Sequence, residues 1–174
     1  GSGSEAELEV ALTGNYTPDL FSPTRTIPSD PGAASRFIRS FTETAGHADL
    51  RLVFYCRASE STRVETRIAR FVYLTARAGE SIRNDLSSPL TCELQQIRKQ
   101  VAAEIHRFQG ILRFRKLADG LYYASIEPDG DILPFLGPRM ARRFTDQRFC
   151  IHDRKRDTLY WHDGNRRPSI EVQR

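Results

Sequence analysis

Three carboxylates lie close together in one short stretch of the sequence and could bind a metal ion. Glu127, Asp129 and Asp131 alternate around a turn, and His152-Asp153 would join them if the following strands pair. Carboxylates at this spacing can converge on a hard divalent cation such as magnesium. A bound metal could then activate water for phosphodiester hydrolysis. The alternative is structural: Asp129 and Asp131 cap the next turn or helix, and Glu127 forms an ion pair with Arg113.

Two histidines are candidates for a general acid or base. His106 lies one turn before the end of a predicted helix, where a neutral imidazole could accept a proton or contact a phosphate. His152 lies on a predicted strand, and its neighbour Asp153 points to the opposite face. A catalytic histidine–aspartate pair would therefore need a third element to supply one member. The alternative for each is a structural histidine that hydrogen-bonds a nearby carbonyl or carboxylate.

Arginines and tyrosines gather in the second half of the chain and predict a nucleic-acid-binding surface. Arginines hold phosphates by bidentate contacts, and tyrosines can stack on exposed bases. Arg113 and Arg115 would share one strand face, beside a cross-strand tyrosine. The alternative is one core tyrosine and an ordinary solvated rim of arginines. The candidates are Arg107, Arg113, Arg115, Tyr122, Tyr123, Arg154, Lys155 and Arg156, with Arg142 and Arg143 nearby.

The net charge of +4 on the 174 residues is unevenly distributed. Residues 1–97 contain ten Lys and Arg against twelve Asp and Glu, whereas residues 98–174 contain sixteen against ten. A basic half of this kind is expected of a phosphate-binding protein, although a solvated basic face gives the same count.

Cysteine usage and hydropathy predict a cytoplasmic protein without membrane contact. Cys56, Cys92 and Cys150 are too far apart for a local metal site, and their odd number argues against a disulfide framework. No apolar run approaches the roughly 20 residues needed to cross a bilayer. The first four residues, Gly1-Ser2-Gly3-Ser4, have the composition of an expression remnant and are left out of the fold prediction.

The first half of the chain predicts four helices. Asp30-Pro31 supplies an N-cap followed by a proline at the first helical position, and Gly46 can end that helix. Apolar residues at steps of three and four mark the others. These are a second short helix near residues 50–54, a third from a Ser61 cap to Gly79, and a fourth from Ser88-Pro89 to Gly110.

The hydrophobic period changes from 3.6 to two after Gly110, which predicts strands. Asp119-Gly120 has the composition of a tight hairpin turn. The predicted elements are strands over residues 111–116 and 121–126, a short helix over 134–144 with a break at Gly137-Pro138 as one alternative, a second hairpin from 148–151 and 158–161, and an edge strand over 169–172.

These elements define an α+β fold. A helical half over residues 29–110 would pack on an antiparallel sheet of four to five strands in residues 111–174. An irregular arm over residues 5–28 precedes them, with Leu20-Phe21 as its anchor. The length of residues 5–174 fits a single domain.

The segment over residues 104–157 resembles bacterial proteins described as DNA metabolism or DNA repair proteins. The likeness covers residues 85–163 well and the helical half loosely. Several short motifs carry it in the same order. They fall on His106-Arg107, Gly110, Arg113-Phe114, Ile126, Pro128-Asp129, Asp131, Leu133-Pro134, Leu136, Phe144, Gln147, Phe149, Ile151-His152-Asp153 and Arg156.

The resemblance implies a link to a radical S-adenosylmethionine protein, and some of the similar proteins carry a fused uracil-DNA-glycosylase-like domain. It supplies no catalytic residues. This chain lacks the closely spaced cysteines of a radical enzyme, so it is similar to the accessory domain alone.

Three functional hypotheses follow. The leading one is a DNA-binding accessory domain of a bacterial DNA repair or modification system. The second is a hydrolase or lyase acting on damaged DNA, with a divalent metal on Glu127, Asp129, Asp131 and His152 and with His106 as acid or base. The third is a protein-interaction module for the radical enzyme. Apart from that metal, no cofactor is predicted.

Overall fold

The computed structural model describes residues 9–12 and 23–164 in full and the backbone of residues 169–172. The predicted expression remnant, the Leu20-Phe21 anchor and most of the predicted arm lie outside the described residues. The described elements are α1 Pro31–Ala45, α2 His47–Arg57, α3 Val64–Ala78, α4 Pro89–Ile111, β1 Arg115–Lys116, β2 Tyr122–Ile126, α5 Leu133–Arg143, β3 Phe149–Asp153, β4 Thr158–His162 and β5 Ser169–Val172. None of the described helices is long and apolar enough to cross a membrane.

The chain divides into two compact units. The first extends to Arg57 and continues over Ser61–Arg98, so it contains α1, α2, α3 and the first part of α4. The second contains Ala58–Glu60 and everything from Lys99 onwards. The second unit therefore holds the end of α4, all five described strands and α5.

The helices of the first unit begin and end largely where the sequence predicts. The Asp30 carboxylate accepts hydrogen bonds from the backbone N–H groups of Gly32 and Ala33 at the start of α1. Gly46, with a φ of 84°, ends α1. The predicted Ser61 cap is wrong, because α3 begins at Val64 after a left-handed Arg63 that makes no side-chain cap.

The core of the first unit is apolar and contains Cys56. Phe41, Leu52, Phe71 and Leu94 belong to the same buried cluster. Burial raises the pKa of the Cys56 thiol to about 12, so this thiol stays protonated near neutral pH and is a poor nucleophile.

The fourth helix continues further than predicted, and the first strand is correspondingly short. Gly110 lies inside α4, and the Leu112 N–H still donates to the Phe108 carbonyl at 2.9 Å. Phe108 and Leu112 are both buried, so packing of this last turn outweighs the low helix propensity of glycine. The predicted strand over residues 111–116 is therefore reduced to β1.

The α+β class is confirmed, and the sheet is mixed. Its five described strands follow the order β1-β2-β3-β4-β5. The pairs β1–β2, β3–β4 and β4–β5 are antiparallel, as predicted. The prediction of a wholly antiparallel sheet is wrong at β2–β3, which pair in parallel. Parallel neighbours need a crossover connection, and α5 supplies it.

Helix α5 packs on β3 and β4 and is continuous through Gly137-Pro138, where a break was the predicted alternative. Gly137 lies directly against the ring of the buried Tyr160 on β4. A Cβ atom added at Gly137 would lie 2.2 Å from the Tyr160 Cδ2 atom. The glycine therefore allows the helix to approach the sheet closely.

Candidate nucleic-acid interface

A cleft of about 590 Å³ lies within the second unit and is lined by residues 123–126 of β2. β1 pairs only with Tyr122 and Tyr123, so residues 124–126 of β2 have no strand partner on that side among the described residues. Phe108, Leu112 and Phe114 give the cleft an apolar lining. Its polar lining contains Arg113, Arg115, Arg154 and Tyr123, and we name it the arginine cleft.

Three of the predicted phosphate-binding arginines therefore meet at one site. Arg113 donates from Nη1 to the Gly110 carbonyl at 3.0 Å and so is held near the end of α4. Arg115 lies with its guanidinium 5.1 Å from the centroid of the Tyr123 ring. Arg154 forms a 3.3 Å ion pair with Glu127, and both side chains are more than 60% exposed. Such exposed pairs are weak, so Arg154 can exchange this partner for a phosphate.

The predicted cross-strand pairing is confirmed, because Arg115 lies opposite Tyr123 in the β1–β2 register. Tyr122 points to the other face of β2, as strand alternation requires. It lines a separate cavity of about 400 Å³ with Phe114, Phe144 and Phe149. The two tyrosines therefore do not act on one ligand.

Lys155 and Arg156, although predicted to bind phosphate, belong to a network within the second unit. The Lys155 ammonium contacts the Glu60 carboxylate at 2.7 Å. The Arg156 guanidinium contacts the carboxylates of Glu60 and Asp153 and the carbonyl oxygens of Pro128 and Asp129. Both residues are paired in this network and neither lines the arginine cleft, so we leave them out of the candidate surface.

The pKa values of this network agree with strong pairing. The hydrogen bond from Lys155 is the main cause that lowers the pKa of Glu60, and Arg156 adds to it. Burial disfavours the charged form of Arg156, but the hydrogen bonds and charges of Asp153 and Glu60 together outweigh it and raise the pKa of Arg156. Asp153 itself is fully buried, and it also accepts the backbone N–H groups of Lys155 and Arg156.

Arg107 also lies outside the cleft lining. It pairs with Glu104 at 3.3 Å, and its guanidinium lies 5.2 Å from the centroid of the Phe108 ring. Glu104 accepts the backbone N–H groups of Asp129 at 2.7 Å and Gly130 at 3.1 Å. Sequence reasoning missed Glu104 and Glu60, because the backbone groups that Glu104 accepts and the cations that pair with Glu60 lie far from them in the sequence.

In the described part of the chain, the residues of the acidic turn have other contacts. Glu127 pairs with Arg154 instead of Arg113, and the Asp131 N–H donates to the Ala58 carbonyl at 2.7 Å. Within the described residues, no three or more His, Cys, Asp and Glu side chains form a group that could hold a metal ion. Helix α5 has Ile132 as its N-cap, and this residue makes no side-chain cap.

The two candidate histidines lie in different settings. His106 is exposed on α4 and does not line the arginine cleft. His152 is half-buried on β3, where its Nδ1 lies 2.9 Å from the Tyr123 hydroxyl and its Nε2 lies 3.0 Å from Asp157 Oδ1. The aspartate partner of His152 is therefore Asp157, and the element that supplies it is the β3–β4 turn. The sequence did not single out Asp157.

The fold and the cleft define a class: an α+β protein with a basic cleft beside the edge of a mixed sheet. The family model described as a domain of unknown function, DUF4130, matches residues 62–173, and the chain belongs to this family. Comparisons with curated proteins and with solved structures gave no significant match.

Proposed function

We propose that this chain binds DNA as an accessory domain of a bacterial DNA repair or modification system, and that a single-stranded segment occupies the arginine cleft. The observation that supports the proposal is the meeting of Arg113, Arg115 and Arg154 beside Tyr123 in one cleft. Guanidinium groups match the geometry of phosphate oxygens and bind them by paired hydrogen bonds. The link to a radical S-adenosylmethionine protein remains a prediction from the resemblance.

The size and lining of the cleft favour a single strand. A volume of about 590 Å³ lies within the range of pockets that enclose small ligands, so it suits one or two nucleotides. Duplex readers usually place a helix or a strand pair in the major groove instead. Because Arg115 covers one face of the Tyr123 ring, we assign base stacking to the outer plane of the Arg115 guanidinium.

The distribution of charge supports the same ligand. Residues 98–174 carry sixteen basic against ten acidic side chains, whereas residues 1–97 carry a small acidic excess. A basic region attracts a polyanion before any specific contact forms. Affinity that depends on this attraction must fall as salt rises, since binding releases counterions from the strand.

The proposal is tested by fluorescence anisotropy with a labelled oligothymidylate over a salt series. For the wild type, the logarithm of the association constant is expected to fall linearly with the logarithm of the salt concentration. Replacing Arg113, Arg115 or Arg154 by glutamine removes one phosphate contact, so each substitution is expected to reduce the magnitude of the slope by about 0.7.

Arg77→Gln is the matched control. Arg77 is exposed and lies 5.8 Å from the centroid of the Tyr73 ring, so it repeats the arginine-on-tyrosine arrangement of Arg115 and Tyr123 outside the cleft. Its replacement should leave the affinity and the slope almost unchanged. Binding that is absent or independent of salt, or an equal effect of Arg77→Gln and Arg115→Gln, would contradict the proposal.

A further inference from the structure

Three polar side chains form a continuous hydrogen-bonded chain beside the arginine cleft. The Tyr123 hydroxyl lies 2.9 Å from His152 Nδ1, and His152 Nε2 lies 3.0 Å from Asp157 Oδ1. Tyr123 also lines the cleft. The order of groups is a hydroxyl, an imidazole and a carboxylate, which is the order of a nucleophile, its base and the group that orients the base.

The carboxylate fixes the direction of the hydrogen bonds. An ionised Asp157 can only accept, so His152 must donate to it from Nε2. In the neutral imidazole the other nitrogen, Nδ1, then carries a lone pair. The Tyr123 hydroxyl therefore donates to Nδ1, and the imidazole is already placed to remove the phenolic proton.

The three hydrogen-bonded side chains are positioned by β2, β3 and the β3–β4 turn. Parallel pairing aligns Tyr123 with Cys150 and Ser125 with His152, so Tyr123 and His152 project from the same face of the sheet. Asp157 lies in the β3–β4 turn with a φ of 50°, a left-handed conformation that non-glycine residues seldom adopt. Such backbone conformations cluster at functional sites.

We propose that Tyr123 is a nucleophile that attacks a phosphodiester bound in the arginine cleft and forms a phosphotyrosyl linkage. The Tyr123 Oη–phosphorus bond forms as one bridging phosphorus–oxygen bond breaks. The phenolic proton passes to His152 Nδ1, and the departing sugar oxygen takes a proton back from the imidazole or from water. One ester replaces another, so neither an oxidant nor a metal is required.

In this step His152 is the general base and Asp157 is a positioning residue. Arg113, Arg115 and Arg154 supply positive charge where negative charge develops on the phosphoryl oxygens. The inference rests on the proposed function, because the cleft must bind a phosphodiester before Tyr123 can react with it.

The test uses nitrophenyl thymidylate, an activated mononucleotide diester whose leaving group reports on the reaction. We expect a burst of nitrophenolate that matches the amount of protein, and peptide mapping by mass spectrometry is expected to find the thymidylyl group on Tyr123. Tyr123→Phe should abolish the adduct. His152→Gln should slow its formation by about 10²-fold or more, as expected for loss of a general base.

Asp157→Asn tests the positioning role. An amide can donate as well as accept, so it no longer fixes the tautomer of His152. The rate of adduct formation should fall while DNA affinity and thermal stability remain at wild-type values. Tyr122→Phe, on the other face of β2, is the control and should react like the wild type.

Adduct formation and DNA affinity are measured separately, so the two proposals fail in different ways. Salt-dependent DNA binding without an adduct on Tyr123 overturns the nucleophile and leaves the proposed function standing. An adduct that persists in Tyr123→Phe also overturns the role of Tyr123 as nucleophile. A rate of adduct formation that is unchanged in His152→Gln overturns the role of His152 as general base, and with it the proposed step. Absence of DNA binding overturns the proposed function itself.

Discussion

Replacing Arg156 with alanine is expected to lower the free energy of unfolding of the second unit by roughly 3 to 5 kcal/mol, because it leaves a buried carboxylate without its cation. Asp153 is fully buried and Arg156 is its 2.9 Å partner. The same substitution also removes one of the two cationic partners of Glu60 and the side-chain donor to the Pro128 carbonyl oxygen. Urea unfolding followed by the fluorescence of Trp161, the single tryptophan of the chain, measures the effect.

Arg154→Ala is the matched control for Arg156→Ala, since the two residues share one turn. Arg154 and its partner Glu127 are both largely exposed, so the loss should be at most about 1 kcal/mol. The ranking of the two variants should reverse for DNA affinity. Arg154→Ala should weaken DNA binding, whereas folded Arg156→Ala should bind almost as tightly as the wild type. Equal stability of the two variants would show that the Arg156 network does not hold the unit together.

Gly137→Ala is expected to destabilise the second unit by about 3 kcal/mol or more, at the upper end of the effects of overpacking. The added methyl group would lie 2.2 Å from a ring atom of Tyr160, which is buried and cannot move freely. Alanine is the better helix former by about 1 kcal/mol. The steric overlap is expected to exceed this gain. Urea unfolding with Trp161 fluorescence again gives the value.

Gly110→Ala is the matched control, because the same substitution there meets nothing within 4 Å. It lies inside α4 and should stabilise the protein by about 0.5 to 1 kcal/mol. A double-mutant cycle with Tyr160→Val tests the cause. The penalty of Gly137→Ala should shrink once the ring is removed, and an unchanged penalty would exclude the contact with Tyr160 as its origin.

Local signals explain which parts of this fold could be predicted. Asp30 and Gly46 mark the ends of α1, and Asp119-Gly120 lies between β1 and β2 as predicted, because caps and tight turns depend on a few neighbouring residues. Alternation along the strand likewise predicted that Arg115 would meet a tyrosine. These features require no knowledge of distant contacts.

Tertiary contacts decided the features that were missed. Gly110 stays helical because Phe108 and Leu112, on either side of it, are buried. The parallel pairing of β2 and β3 depends on the crossover connection that α5 supplies. Arg156 meets Glu60 across 96 positions of sequence, which no local pattern indicates. Asp157 is five residues from His152, yet only the left-handed turn brings it to the imidazole.

Photo-crosslinking with iodouracil-substituted single-stranded DNA, followed by peptide mapping, tests the central claim most directly. Binding in the arginine cleft predicts crosslinks to its aromatic residues, Phe108, Phe114 and Tyr123, that disappear at high salt. Tyr73 is 59% exposed and lies in the first unit, so it serves as an internal reference for random encounters. Crosslinks at Tyr73 with none in the cleft would contradict the account.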